Sequence, residues 1–132
     1  MTSIPPLDKA RLALRILTLA VQVHIATRRH PLPAVVTALA AKPPMRRFGL
    51  GPVRLGGVVR RTLTIAGRPP RCLIAALVAF RLSRDEGHPV ELVIGLPKNP
   101  TDKDAHAWLE IDGRDVGPPP GRLEHVELAR YR

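Results

Sequence analysis

Two side chains in this sequence could together carry out nucleophilic catalysis. Cys72 is the single cysteine among 132 residues, and His106 lies in a run whose alternating apolar residues are typical of a β-strand. A thiol is nucleophilic as the thiolate, and a nearby histidine can accept its proton and later return it to a leaving group. A lone cysteine is otherwise a small buried hydrophobic residue. The interpretation therefore depends on the elements that carry these two residues.

The cysteine is predicted to lie at the start of a helix. Pro69-Pro70 is a pair tolerated just before and at the first helical positions, and the apolar residues from Cys72 to Asp85 predict a helix buried on most sides, with Gly87 suited to end it. A helix N-terminus supplies partial positive charge and free backbone N–H groups, which favour a thiolate and could bind the oxyanion formed when a peptide carbonyl is attacked. Arg71 adds a positive charge beside the thiol.

The histidine is predicted to lie on a small antiparallel sheet. Asp112-Gly113 is a favoured pair for a two-residue hairpin turn, so a strand should return beside the one that carries His106. The tail from Leu123 to Tyr131 is compatible with a last strand or with a helical turn. The predicted strands are Val90 to Leu96, Ala105 to Ile111 and Arg114 to Gly117.

Helices dominate the first half of the chain. Apolar spacing predicts a helix from Leu7 to about Thr27 and a short one from Ala34 to Ala41. The stretch from Met45 to Gly57 contains four glycines and no periodicity, which predicts a mobile basic loop, and Gly57 to Ala66 predicts another short helix. The predicted fold class is therefore α+β, in a single domain over residues 1–132 with a basic helical region (1–67) followed by the cysteine-bearing helix and sheet (68–132).

The formal net charge of +10 is concentrated in the first half. Residues 1–68 contain twelve Lys or Arg and one acid, whereas residues 69–132 contain nine Lys or Arg and ten acids. A basic half could dock an acidic peptide, a partner protein, nucleic acid or a membrane face, or it could be a solvated arginine-rich surface. Aromatic residues make up only 3% of the chain, which disfavours a base-stacking platform for nucleic acid.

Other kinds of site lack their sequence signatures. There is no CxxC and no HExxH for zinc, and Gly49-Leu50-Gly51 lacks the lysine that a phosphate-binding loop requires. We therefore expect no metal and no cofactor. The most apolar segment, Ile16 to Thr27, is too short and too polar to span a bilayer. With one cysteine and no evident secretory signal, the sequence predicts a soluble cytoplasmic protein.

Motifs across residues 68–117 resemble those of the protease of lasso peptide biosynthesis, in the split form in which the leader peptidase is separate from the domain that recognises the leader. The motifs are Cys72-Leu73, Phe80-Arg81-Leu82, Gly87-His88-Pro89-Val90-Glu91-Leu92-Val93-Ile94-Gly95 and Ala105-His106-Ala107-Trp108-Leu109-Glu110-Ile111-Asp112-Gly113. Each motif alone is weak, but the combination is specific.

The resemblance implies a transglutaminase-like, papain-like cysteine protease core in which Cys72 is the nucleophile and His106 the general base and acid. It implies a function as well: removal of the leader from a ribosomally made precursor, so that a separate ATP-dependent cyclase can close the macrolactam. The implied partners are the precursor peptide, the leader-recognition domain protein and that cyclase.

Enzymes of this type usually have a third residue that orients the histidine. In the family that place commonly carries an acid on the returning strand; an uninterrupted hairpin register would put Pro119 opposite His106, with Pro118 adjacent. Asp112 is separated from His106 by roughly 20 Å of strand, and Asp115 should pair near Glu110. Both are weak candidates, and the third member is left unassigned.

Two further interpretations depend on neighbouring residues. Glu124 is another possible orienting acid, from outside the hairpin. Trp108 should share a sheet face with His106, and its place in the core is slightly favoured over contact with substrate.

The alternative function is a catalytically degenerate, transglutaminase-like binding module that holds an acidic peptide or nucleic acid through its basic N-terminal half.

Overall fold

The computed structural model of the protein describes residues 5–45, 47–98, 105–118, 121–123 and 125–132. Four helices come first and four strands follow, so the predicted α+β fold class is confirmed. The elements are α1 (Pro6–Arg29), α2 (Leu32–Ala41), α3 (Pro52–Leu63), α4 (Cys72–Asp85), β1 (Glu91–Pro97), β2 (His106–Ile111), β3 (Arg114–Gly117) and β4 (His125–Tyr131).

The first helix, α1, is a long amphipathic helix that packs against α4. Pro6 occupies one of its first positions and Asp8 its first turn, both of which suit a helix N-terminus. Among the described residues it is the one helix long and apolar enough to cross a membrane by length and composition. One face is nevertheless buried in the domain core, through Leu12, Ile16, Leu19 and Val23.

The third helix, α3, begins earlier than the sequence predicts. The expected basic loop from Met45 to Gly57 is wrong in its second part, because Pro52 opens a helix there. The Gly51 carbonyl accepts a hydrogen bond from the N–H of Leu55 at 2.9 Å. Leu55 is buried against the core, and burial of this kind outweighs the low helix propensity of the glycines that follow.

The fourth helix, α4, is the centre of the fold and has the predicted bounds, Cys72–Asp85. It contacts α1, α2 and α3 on one side and β1 and β2 on the other. Every residue from Ala75 to Ser83 is buried. The nucleophile candidate therefore lies at the end of a helix that is fixed by packing from both layers.

A buried ion pair also ties α4 to the other helices. Arg81 is 2% exposed and pairs with Asp85 at 2.9 Å. Asp85 also accepts from Arg15 of α1 at 3.3 Å and from the backbone N–H of Met45 at 3.1 Å. The Arg81 guanidinium donates to the carbonyls of Leu39 (2.7 Å), Lys42 (2.9 Å) and Pro43 (2.5 Å).

The four strands form one antiparallel sheet in the order β3-β2-β1-β4. The tail that the sequence leaves undecided is strand β4, which pairs with β1 at the sheet edge. The predicted hairpin turn is confirmed: Asp112 and Gly113 have φ values of 50° and 77°, the left-handed conformation that a type I′ turn requires.

The register of that hairpin differs from the uninterrupted pairing that the sequence suggests. Glu110 faces Asp115 as predicted, but the next pair is Leu109 with Gly117, because the register shifts between Leu109 and Glu110. The prediction that carries simple pairing on to His106 and Pro119 is therefore wrong beyond Glu110. Pro119 itself lies outside the described residues.

Candidate active site

Cys72 is the first residue of α4, where the predicted N-terminal environment is present. Arg71 precedes it in an extended conformation, and the Arg71 carbonyl accepts the first helical hydrogen bond from the N–H of Ala75 at 3.0 Å. The thiol is half-buried, and its sulfur lies 3.8 Å from the carbonyl oxygen of Ala105. The start of β2 therefore lies directly beside the helix N-terminus.

The structure brings Cys72 and His106 together across 34 positions of sequence, close enough for the imidazole to act on the pKa of the thiol. Burial raises the pKa of the Cys72 thiol, but the bond from His106, the backbone N–H groups of Ala107 and Leu73 and the charge on His106 lower it by more. The pKa of Cys72 lies below its ordinary value of 9.0 as a result. This balance favours the thiolate form of Cys72.

The imidazole of His106 has aromatic and backbone neighbours on the sheet. Its ring stacks on Trp108 with centroids 5.8 Å apart, and the ring of His125 lies tilted at 5.0 Å. Gly121 is closer still: a Cβ built on it would lie 2.3 Å from Cδ2 of His106. Only glycine leaves room for the imidazole at that position.

Neither aspartate considered as an orienting residue occupies that role among the described contacts. Asp112 lies in the hairpin turn, at the opposite end of β2 from His106. The Asp115 carboxylate accepts hydrogen bonds from backbone N–H groups, those of Gly117 (2.8 Å), Gly121 (2.6 Å) and Arg122 (2.8 Å). Glu124, the other acid considered, lies outside the described residues.

Pro118, which stands near the place where the family resemblance leads us to expect an acid, is a packing residue. It lies against Gly56 of α3, where an added Cβ would meet the proline ring at 3.1 Å. The end of β3 is therefore in close contact with α3 at this point.

Trp108 is buried beneath the site, in agreement with the favoured interpretation that it belongs to the core. Its indole N–H donates to Glu110 at 2.8 Å, and Arg130 of β4 pairs with the same carboxylate at 3.0 Å. The far edge of the indole fits over Gly95, where a Cβ would lie 2.7 Å away. These contacts of Trp108 stabilise the part of the sheet on which His106 lies.

Sequence reasoning missed two residues of the site, Gly121 and His125. The Gly121 carbonyl lies 2.8 Å from Nδ1 of His125, and both residues adjoin His106. The available signal was a histidine at the start of the undecided tail. A strand assignment there, paired with β1, would have placed His125 on the sheet that carries His106.

The comparisons with known proteins identify the superfamily of the chain. The family described as the transglutaminase-like superfamily matches residues 9–129. This range includes most of the sheet and all four helices except the start of α1. No curated protein and no solved structure matches the chain significantly. The chain belongs to the transglutaminase-like superfamily, a group that includes cysteine proteases and transglutaminases.

Proposed function

We propose that the protein is a cysteine endopeptidase that removes the leader peptide from a lasso peptide precursor before macrolactam cyclisation. The observation that carries the proposal is the proximity of His106 to the half-buried thiol of Cys72, which lies at the N-terminus of α4 beside the start of β2. The resemblance of the sequence motifs to the split leader peptidase supplies the substrate class. The superfamily membership supports the coarser statement, cysteine-dependent chemistry on a carbonyl group.

The geometry supports a two-step acyl transfer. The Cys72 thiolate attacks the carbonyl carbon of the leader–core junction, and the free N–H groups of the first turn of α4 are placed to bind the oxyanion. The tetrahedral adduct collapses to a thioester on Cys72, while the imidazolium of His106 protonates the departing amine of the core peptide. His106 then takes a proton from water as it attacks the thioester, and the leader leaves as a carboxylic acid.

The products define the partners in this proposal. Release of the core frees its N-terminal amine, which is the nucleophile that an ATP-dependent cyclase needs. A separate leader-recognition protein would present the precursor, because the peptidase of a split system lacks that domain.

The test is a cleavage reaction with a candidate precursor, with and without the recognition protein, in which the products are identified by mass. Cleavage at a single junction is expected from the native protein, and none from Cys72→Ala, whose fold should persist because one thiol at the edge of the core is a small packing loss. Retained cleavage by Cys72→Ala would disprove the nucleophile assignment.

One observation favours the second candidate, a module that binds an acidic peptide. A surface groove of about 390 Å³ is lined by Gly57, Arg60, Arg61, Thr64, Gly67 and Pro69. No acidic residue occurs between Asp8 and Asp85, so nothing in that stretch neutralises the groove. Pro69 is three residues from Cys72, which limits the separation of their α-carbons to about 11 Å.

Binding and cleavage can be separated with the inactive Cys72→Ala protein. A binding module predicts that it holds an acidic peptide, that reversing Arg60 and Arg61 to Glu abolishes this binding, and that the matched reversal of Arg28 and Arg29 on α1 does not. The native protein would then leave every precursor uncut. Cleavage of a precursor in a Cys72-dependent manner would exclude a purely binding function.

A further inference from the structure

We propose that Asp115, Gly121 and His125 form a clamp that positions the imidazole of His106. We name these three residues the Gly121 clamp. The inference rests on the proposed peptidase function for its kinetic consequences, but its effect on the reactivity of Cys72 is independent of the substrate. The members of the clamp are positioning residues, because they act on His106 and not on the peptide.

Asp115 holds Gly121 through the backbone N–H of that glycine. The Asp115 carboxylate accepts from Gly121 at 2.6 Å, from Arg122 at 2.8 Å and from Gly117 at 2.8 Å. Hydrogen bonds to an ionised carboxylate are roughly twice as strong as neutral ones. A side chain on β3 therefore fixes the segment 121–122 relative to the hairpin that contains His106.

His125 holds Gly121 through the carbonyl group of that glycine. Nδ1 of His125 lies 2.8 Å from the Gly121 carbonyl oxygen, and since a carbonyl only accepts, the proton is on Nδ1. His125 opens β4 and pairs with Pro97 of β1. Gly121 is therefore held through its N–H by Asp115 on β3 and through its C=O by His125 on β4. These two strands lie at the two edges of the sheet, with β2 and β1 between them.

The glycine held in this way touches the general base. A Cβ on Gly121 would lie 2.3 Å from Cδ2 and 3.0 Å from Nε2 of His106, and 2.8 Å from Cε3 of Trp108. The His125 ring covers a further part of the imidazole, with centroids 5.0 Å apart and planes inclined by 33°. The imidazole is confined by a backbone segment on this side and meets the thiol of Cys72 on α4.

Confinement of this kind affects the chemical step more than substrate binding. A base displaced by about 1 Å from its productive position can lose on the order of 100-fold in rate. Because Gly121 and His125 contact His106 and Trp108, and because the clamp acts on the proton-transferring group, the loss should fall on kcat with KM nearly unchanged.

The central test is Gly121→Ala, with Gly51→Ala as the matched control, since a Cβ on Gly51 would meet nothing within 4 Å. We expect Gly121→Ala to lose about 100-fold in kcat, with KM changed by less than about two-fold, and Gly51→Ala to retain native values. Alkylation of Cys72 by iodoacetamide at about pH 6, where an ordinary thiol reacts slowly, should slow in Gly121→Ala alone. Thermal unfolding checks that each variant is folded.

A milder pair of variants tests the same idea without a steric clash. His125→Ala removes the bond to Gly121, whereas the side-chain amide of His125→Asn can still donate to that carbonyl. We expect His125→Ala to lower kcat and the alkylation rate, and His125→Asn to restore much of both. A purely structural role would change the unfolding temperature and leave both rates unchanged.

The outcomes distinguish the clamp from the proposed function. If no precursor is cut but alkylation is fast in the native protein and slow in Gly121→Ala, the clamp stands and the peptidase proposal fails. If Gly121→Ala and His125→Ala are folded and both keep native kcat and alkylation rates, the clamp is wrong, whatever the substrate.

Discussion

Replacing Arg81 with methionine should be one of the most destabilising substitutions in the chain. Arg81 is 2% exposed, and its guanidinium pairs with Asp85 at 2.9 Å and donates to three carbonyls at 2.5 to 2.9 Å. Methionine fills similar space but donates nothing. Among the described residues, Asp85 would keep its bonds to Arg15 and to the N–H of Met45.

The magnitude follows from those contacts. Breaking a buried pair by removing one partner costs about 3–5 kcal/mol. The bond to the Leu39 carbonyl is the buried one of the three, and leaving that carbonyl without a donor adds about 1 kcal/mol. A total of roughly 4–6 kcal/mol is a large part of the 5–15 kcal/mol typical of a domain. The melting temperature should fall by about 15 °C or more.

Thermal unfolding followed by circular dichroism measures this fall. Arg84→Met is the matched control. Within the part of the chain that the structure describes, Arg84 donates one bond, to the Val90 carbonyl at 3.3 Å, and it lies over the Phe80 ring. This substitution should lower the melting temperature by only a few degrees. The double variant Arg81→Met/Asp85→Leu also removes the buried carboxylate, which has lost its main partner in Arg81→Met, and should be more stable than Arg81→Met alone. A fall of less than about 4 °C for Arg81→Met would refute the reasoning.

Three other predictions concern the site and its packing. His106→Ala should raise the pKa of Cys72, because burial still acts on the thiol while the bond and charge that lower its pKa are gone; the alkylation rate measured against pH should shift to higher pH. Gly56→Ala places a Cβ 3.1 Å from Pro118 and should cost about 1–3 kcal/mol in a urea unfolding titration. Gly95→Ala faces a rigid indole at 2.7 Å and the backbone at 2.9 Å, so it should cost more than Gly56→Ala in the same titration. Equal losses at the two glycines would contradict the packing argument.

The parts of the fold that sequence predicts well are those fixed by local signals. The bounds of α4 follow from Pro69-Pro70 before it and from the apolar run within it. The hairpin turn follows from Asp112-Gly113, whose residues tolerate positive φ. Local chemistry alone decides both elements.

The parts that sequence misses depend on distant contacts. The start of α3 lies among glycines and is stabilised by burial of Leu55 and by contact between Gly56 and Pro118, 62 positions away. Strand β4 has exposed apolar residues at Val126 and Leu128, so its burial pattern does not alternate clearly. Pairing with β1, a long-range event, decides that it is a strand.

The same division holds for the site. Cys72 and His106 could be paired from residue type, a helix start and a strand. The neighbours of His106 could not be derived, because the shift between Leu109 and Glu110 changes the register and because Gly121, which contacts the imidazole, lies outside the strands. No residue-level pattern predicts a register shift of this kind.

A single cysteine with a lowered pKa also determines how the protein responds to peroxide. Thiolate character and partial exposure make Cys72 the residue most readily oxidised to a sulfenic acid. A second thiol normally rescues such a residue by forming a disulfide, but the chain has no second cysteine. Further oxidation to sulfinic acid is irreversible for most proteins, so we expect an oxidised Cys72 in this chain to be rescued by a thiol from another molecule.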